Sequence, residues 1–241
     1  MVKNLLILLF DYQNYKDNME LIISIIMLLA TVGAIFLAWR NLKKIQEQIE
    51  LQKQESEQNA IARAWEIVGR KASGNSGKIE ALEFLNKKGI PLLGIDLSKG
   101  THGGFVWLYG ANLIGANLHS ANLSGAVMSR SKLSRANMRG AKLINTRFLD
   151  QADLCGANLS YTVLDNVDFS FAKIDTTTNF GPAFLKDKNK LPMFSEEQED
   201  ELRITTVLTG QETDIEDADG NKTRYYELKI TLDPPKPSKP A

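Results

Sequence analysis

The sequence predicts an all-β solenoid carried behind an N-terminal transmembrane helix and a helical linker, and three observations predict it. Between Ala111 and Asp175 the chain repeats itself every five residues. Leu21 to Trp39 contains no charged residue. Between these two regions, Arg40 to Arg70 is rich in Gln, Glu and Lys and holds no Pro, and no Gly before Gly69. The five-residue period decides the fold class. A helix returns to one face every 3.6 residues and a strand every 2, so neither keeps a residue type in place at intervals of five. A coil that turns a corner at each repeat does.

The 241 residues, with 29 basic and 29 acidic side chains, suit one or two modest domains and give no global pull toward nucleic acid. A single cysteine, Cys155, excludes an intramolecular disulfide and fits a reducing compartment. In the repeat register Cys155 follows a core Leu on the outer side of the coil. No His, Lys or Arg adjoins it in sequence, so a small residue in a tight turn is expected, and not a reactive thiol.

The N-terminal elements come first. Nineteen residues from Leu21 to Trp39, at about 1.5 Å each, reach about 28 Å, close to a bilayer core of about 30 Å. Trp39 and Arg40 end the stretch as an interfacial aromatic and a cation. No small-x-small cleavage site precedes the charged stretch, so 21–39 reads as a span and not as a cleaved leader. Leu5 to Phe10 is too short to cross, which makes 1–20 an interfacial segment. Arg40, Lys43, Lys44 and Lys53 follow the span, against Lys3 and Lys16 before it. That bias places the C-terminal bulk in the cytoplasm, as a single-pass protein of the inner membrane.

The linker and cap occupy 40–89. Ile35, Leu42 and Ile49 are seven apart with Ile45 between, but Gln52, Ser56 and Asn59 then interrupt the seam. A solvated stalk or a short self-association is expected, and not a long coiled coil. Ile61, Ala64, Trp65 and Val68 form an apolar stripe for packing. Gly74-Asn75-Ser76-Gly77-Lys78 invites a phosphate-loop reading and fails it. The pattern requires a Gly where Ala72 stands and a hydroxyl where Ile79 stands. A helix over Lys78–Lys88, stopped by Gly89, is expected to cover the open edge of the solenoid.

The solenoid itself is expected over 90–185. Ala111-Asn112-Leu113-Ile114-Gly115, Ala116-Asn117-Leu118-His119-Ser120 and Ala121-Asn122-Leu123-Ser124-Gly125 resemble the pentapeptide-repeat family. That resemblance implies a four-sided right-handed β-solenoid. The order of apolar span, linker, Gly-Asn-Ser-Gly-Lys, helix and Ile95-Asp96-Leu97-Ser98 is similar to the membrane-anchored bacterial branch of that family. The resemblance implies architecture more than activity.

Centres fall at Leu92 and Leu97, then every five residues from Leu108 to Phe148, and at Leu154, Leu159, Leu164, Phe169 and Ile174 after a one-residue insertion near Gln151. The small residue two before each centre fills a corner: Ala111, Ala116, Ala121, Ala136, Ala141 and their equivalents. The remaining three of each unit face water, and any function of the coil is carried there. Arg130, Lys132, Arg135, Arg139 and Arg147 form a possible binding belt, together with Lys142, spread by the register over all sides. Stacking one coil on the next puts Arg130 near Asp150, Lys132 near Asp153 and Arg147 near Asp168, so partial ion pairing is expected.

The resemblance also raises topoisomerase inhibition by mimicry of duplex DNA, which needs a strongly negative surface. From Ile90 to Phe180 the acidic residues are Asp96, Asp150, Asp153, Asp165, Asp168 and Asp175, against eight Lys and Arg, so the sign is wrong. Binding of anionic lipid by the belt is the other alternative.

Over 186–233 a β-hairpin is expected, with strands Leu202–Leu208 and Arg224–Leu232 around Asp217-Ala218-Asp219-Gly220-Asn221. The acidic turn fails the calcium-loop pattern, because Ile215 and Tyr226 fall at the first and twelfth ligand positions. Residues 234–241, rich in Pro and Lys, read as an extended tail. His102 and His119 have no ligand-spaced companions, and no catalytic constellation can be placed. The sequence therefore predicts no enzyme, no cofactor and no metal. It predicts a non-catalytic scaffold or protein-interaction module at the cytoplasmic face. Its partners are a bilayer through 21–39 and a protein, with nucleic acid disfavoured.

Overall fold

The computed structural model describes residues 2–70, 74–98, 104–216 and 222–233, and it divides into two compact units, Met1–Asn59 and Ala60–Ala241. Helix α1 runs Val2–Gly69 without a break, and its last turns belong to the second unit. No Pro interrupts this stretch, and Gly33 alone does not stop a helix, since one Gly costs only about 1 kcal/mol. Its side chains from Leu21 to Trp39 are all exposed. Among the described residues this is the one helix long and apolar enough to cross a membrane.

The second unit is built on a parallel ladder. Asn112 pairs with Lys132, Asn117 with Asn137, Asn122 with Lys142 and Val127 with Arg147. Twenty residues per coil means four units per coil, and we call their runs a (centre Leu108), b (Leu113), c (Leu118) and d (Leu123). After Asp150 and Gln151 the step becomes 21, as in Lys132 to Asp153. A second insertion, unexpected from the sequence, lies in the Asp175–Thr178 turn, so that Asn158 pairs with Asn179. Asp175 builds that turn by accepting from the amides of Gly156 and Thr177. The ladder then continues through Val163–Phe184 to Asp168–Met193. Phe180 and Leu185 consequently occupy centre positions, and Phe194 follows them over run a.

The interior explains the period. Leu108, Leu113, Leu118, Leu123, Met138 and Leu143 are fully buried, and so are the corner residues Ala111, Ala116, Ala121 and Ala141. Burying a Leu stabilises by about 1.5–3 kcal/mol, and a corner larger than Ala would crowd the bend. In run a, the rings of Phe148 and Phe169 stack at 5.3 Å and those of Phe169 and Phe194 at 5.4 Å.

Both ends are covered. At the N-terminal edge, helix α2 (Lys78–Lys87) buries Ala81, Leu82 and Leu85. Glu83 Oε1 accepts from the open amide of Asn112 at 2.7 Å, and Asn86 Nδ2 donates to the carbonyl of Ile114 at 3.1 Å. The Gly74–Lys78 segment is a clasp. Gly74 N donates to Phe105 O at 2.8 Å, and Trp107 N donates to Gly74 O at 3.2 Å. The Lys78 ammonium, 1% exposed, donates to Val68 O at 3.1 Å and to Arg70 O, at the C-terminal end of α1. Burial, and then the nearby Arg70 charge, lower its pKa, while Asp96 works the other way. This lysine is occupied by helix carbonyls, which is the structural counterpart of the failed phosphate-loop pattern.

At the other end, strand β1 (Pro182–Leu185) belongs to the coil. Helix α3 (Glu196–Leu202) follows it and opens with a Ser195/Gln198 capping box. Gln198 Nε2 donates to Phe169 O at 3.0 Å and to Ala172 O at 2.6 Å, satisfying carbonyls of the last coil. Strands β2 (Thr205–Glu216) and β3 (Lys222–Thr231) complete a sheet of order β1-β3-β2. The expected hairpin is thus not isolated: β3 pairs antiparallel with β1, Phe184 opposite Glu227. Leu202 belongs to α3 and not to a strand, and β2 extends to Glu216 past an irregularity between Leu208 and Glu212. The turn 217–221, the tail 234–241 and His102 lie outside the described residues.

Candidate interaction surface

Many outward ladder positions are Asn or Asp, and run c shows why. Asn117, Asn137, Asn158 and Asn179 form one column. Each of the first three accepts, at its Oδ1, from the amide two residues on: His119 at 3.3 Å, Arg139 at 3.2 Å and Ser160 at 3.1 Å. Asn137 Nδ2 also donates to Asn117 Oδ1 at 3.2 Å. Short amides hold the turn and each other.

Run a departs from this. Its outward column is Trp107, Val127, Arg147, Asp168 and Met193. The corner that follows run a carries Tyr109, Arg130 and Phe171. Trp107 is 55% exposed, Tyr109 50%, Phe171 63% and Met193 45%. The Arg147 guanidinium lies 5.2 Å from the ring centre of Phe105, and that of Arg130 lies 5.6 Å from Tyr109. Asp150 and Gln151, both in the left-handed region at φ 51° and 62°, open a cavity of about 530 Å³ lined by Arg130, Asp150, Gln151 and Phe171. Trp, Tyr, Phe, Met and Arg are the side chains enriched in the buried centres of protein interfaces.

The model of the family described as pentapeptide repeats matches residues 111–148 and 149–176, in eight copies. Residues 111–176 of the coil are pentapeptide repeats. Two solved structures are similar to the chain in part. One is HetL, a pentapeptide-repeat protein involved in heterocyst differentiation regulation from the cyanobacterium Nostoc sp. strain PCC 7120, at 30% identity and a TM-score of 0.30. That match covers 37% of this chain and 42% of HetL. The other is Rfr23, a pentapeptide-repeat protein from the cyanobacterium Cyanothece 51142, at 24% identity and a TM-score of 0.16. It covers 42% of this chain and 65% of Rfr23, so the matches span less than two thirds of either protein. No curated protein matches the chain.

The pentapeptide-repeat register distributes the expected belt. Lys132 is on run b and Arg147 on run a. Arg130, Arg135 and Arg139 sit at the corners after runs a, b and c. Arg130 and Arg147 share the run-a side, and Lys132 and Arg135 share the run-b side. The expected ion pairs are absent: among the described residues no carboxylate approaches Arg130, Lys132 or Arg147 within 4.0 Å. Local partners take Arg130, Arg147, Asp153 and Asp168 instead. The two arginines lie over rings, and Asp153 accepts instead from Ser134 Oγ at 2.5 Å and Cys155 N at 3.1 Å. Burial alone would raise the Asp153 pKa, but these hydrogen bonds outweigh it and hold the carboxyl below its usual range. Burial and the neighbouring Asp153 push the Cys155 thiol up to about 11, far from a reactive thiolate. Trp107, Tyr109, Phe171 and Met193 were not singled out in the sequence. The signal was present: Trp107 stands where neighbouring units carry Asn or another ladder residue.

Proposed function

We propose that the chain is a single-pass protein of a bacterial inner membrane, anchored through 21–39. It would hold a right-handed, quadrilateral pentapeptide-repeat domain at the cytoplasmic face as a non-catalytic protein-interaction module. The observation that carries the interaction reading is the run-a side, where Trp107, Tyr109, Phe171 and Met193 are exposed around Arg130 and Arg147. A protein that leaves such residues together on the run-a side, where run c carries self-bonded Asn, offers a site for a partner. The anchoring reading is supported by the uncharged, exposed stretch of α1 and by the four Lys and Arg that follow it. A tag placed after Ala241 would then resist external protease in spheroplasts and be cleaved after lysis.

A photo-crosslinking amino acid placed at Phe171, and in a second strain at Asn179 on run c, tests the surface in cells. Adducts from Phe171 alone are expected. Equal adducts from both positions, or none from either, would overturn the assignment of the run-a side.

A further inference from the structure

A second cavity of about 530 Å³ lies between the solenoid and its C-terminal sheet, at the corner that joins runs c and d. Three observations set it apart. First, among the described residues its charges are of one sign: Lys142 and Lys186 line it, and no described carboxylate does. Among the described residues neither ammonium has an acidic partner within 4.0 Å. The cavity beside Arg130, by contrast, contains Asp150 and neutralises itself. Two ammonium groups facing one cavity repel each other, and a bound anion removes that cost.

Second, its walls are aromatic. Tyr161, Phe184 and Tyr225 line it, with ring centres 6.4 Å apart for Tyr161 and Phe184 and 6.5 Å for Phe184 and Tyr225. The Arg139 guanidinium stacks 4.0 Å from the centre of the Tyr161 ring, and Lys186 Nζ lies 5.9 Å from that of Tyr225. Third, Tyr161 places a ring at a corner that the preceding coil leaves open. Its φ is 60°, in the left-handed region, where the preceding coil has Gly140 at 69°. The corners of this coil adopt that conformation throughout, as at Ser120, Arg130 and Arg135, so the unusual feature is the bulky ring of Tyr161 where Gly stood one coil earlier.

We propose that this cavity binds a small organic phosphate whose body is a flat ring. Lys142 and Lys186 take the phosphate, and Tyr161 and Tyr225 take the ring. The size suits this: ligand cavities of about 300–1,000 Å³ with apolar walls and a few convergent polar groups hold small molecules.

The test uses the full chain in an uncharged detergent, titrated calorimetrically with 1-naphthyl phosphate, 1-naphthol and inorganic phosphate. Saturable binding of naphthyl phosphate is expected, weaker by at least about tenfold for each of the other two. The double variant Lys142→Gln, Lys186→Gln is expected to lose about tenfold or more, the usual scale for charge-assisted hydrogen bonds. Tyr161→Gly relieves the left-handed backbone, so it should unfold no earlier than the parent while also binding less tightly. Unchanged affinity in both variants would overturn the proposal, as would equal affinity for inorganic phosphate. Displacement of the probe by anionic-lipid vesicles but not by inorganic phosphate would assign the cavity to a lipid headgroup and overturn the free-ligand reading.

Discussion

Runs a and c of the same coil share one interior and differ on the outside. Behind run c the centres are Leu118, Met138 and Leu159; behind run a they are Leu108, Met128, Phe148 and Phe169, and all are buried. Outside, run c carries Asn that bond backbone and one another, and run a carries exposed rings, Met and two arginines. Structure and availability are therefore separable in this fold. An outward residue that closes a turn is committed to the coil. One that hangs on the ladder without closing a turn is available to something else.

The largest expected effect tests whether the interiors are equivalent. Phe148→Ala removes the ring stacked on Phe169 and should destabilise the second unit by about 3–5 kcal/mol. Denaturant titration followed by tryptophan fluorescence measures it. Met138→Ala behind run c should fall in a similar range, about 2–5 kcal/mol. A run-a interior that tolerates truncation would mean the two runs differ in packing as well as in surface, and would break the comparison.

A smaller effect is expected at the clasp. Lys78→Met removes the buried donor to Val68 and Arg70 carbonyls and leaves them unsatisfied, at a cost of about 1–3 kcal/mol. Because Gly74 pairs with the backbone around Trp107, the loss should be local to run a. Hydrogen exchange would show faster exchange at the amides of Gly74 and Trp107, with the amide of Asn137 unchanged. Uniform loosening would mean the clasp supports the whole coil and not the start of one run.

These particulars show what could be read from the sequence. The period, the centres and the corner Ala were legible because each unit satisfies its requirements within five residues. The first insertion at Gln151 was legible because it broke a long run of regular units. The second, at Asp175–Thr178, was not, since Asp175 bonds forward to Thr177 and back to Gly156 one coil away. The sheet β1-β3-β2 was only half legible. A hairpin shows in local pattern, but its pairing to Pro182–Leu185 joins residues more than forty apart. The belt was the least legible part. Sequence spacing places charges on sides of the coil, but whether Arg130 meets Asp150 or Tyr109 depends on side-chain reach across coils.

The smallest expected change in stability separates the two runs most directly. Asn137→Ala deletes the acceptor for Arg139 N and the donor to Asn117 Oδ1, and should cost about 0.5–1.5 kcal/mol. Trp107→Ala deletes an exposed ring whose backbone bonds remain, and should change stability by no more than about 0.5 kcal/mol. Crosslinking from Phe171 should respond in the opposite order, several-fold weaker in Trp107→Ala and unaltered in Asn137→Ala. If Trp107→Ala destabilised as much as Asn137→Ala, its ring would be part of the fold. If neither altered crosslinking, the exposed side of run a would be surface and nothing more. A coil of similar five-residue units gains a direction only where some units give up the residue that serves the coil best, and run a is one place where this chain does so.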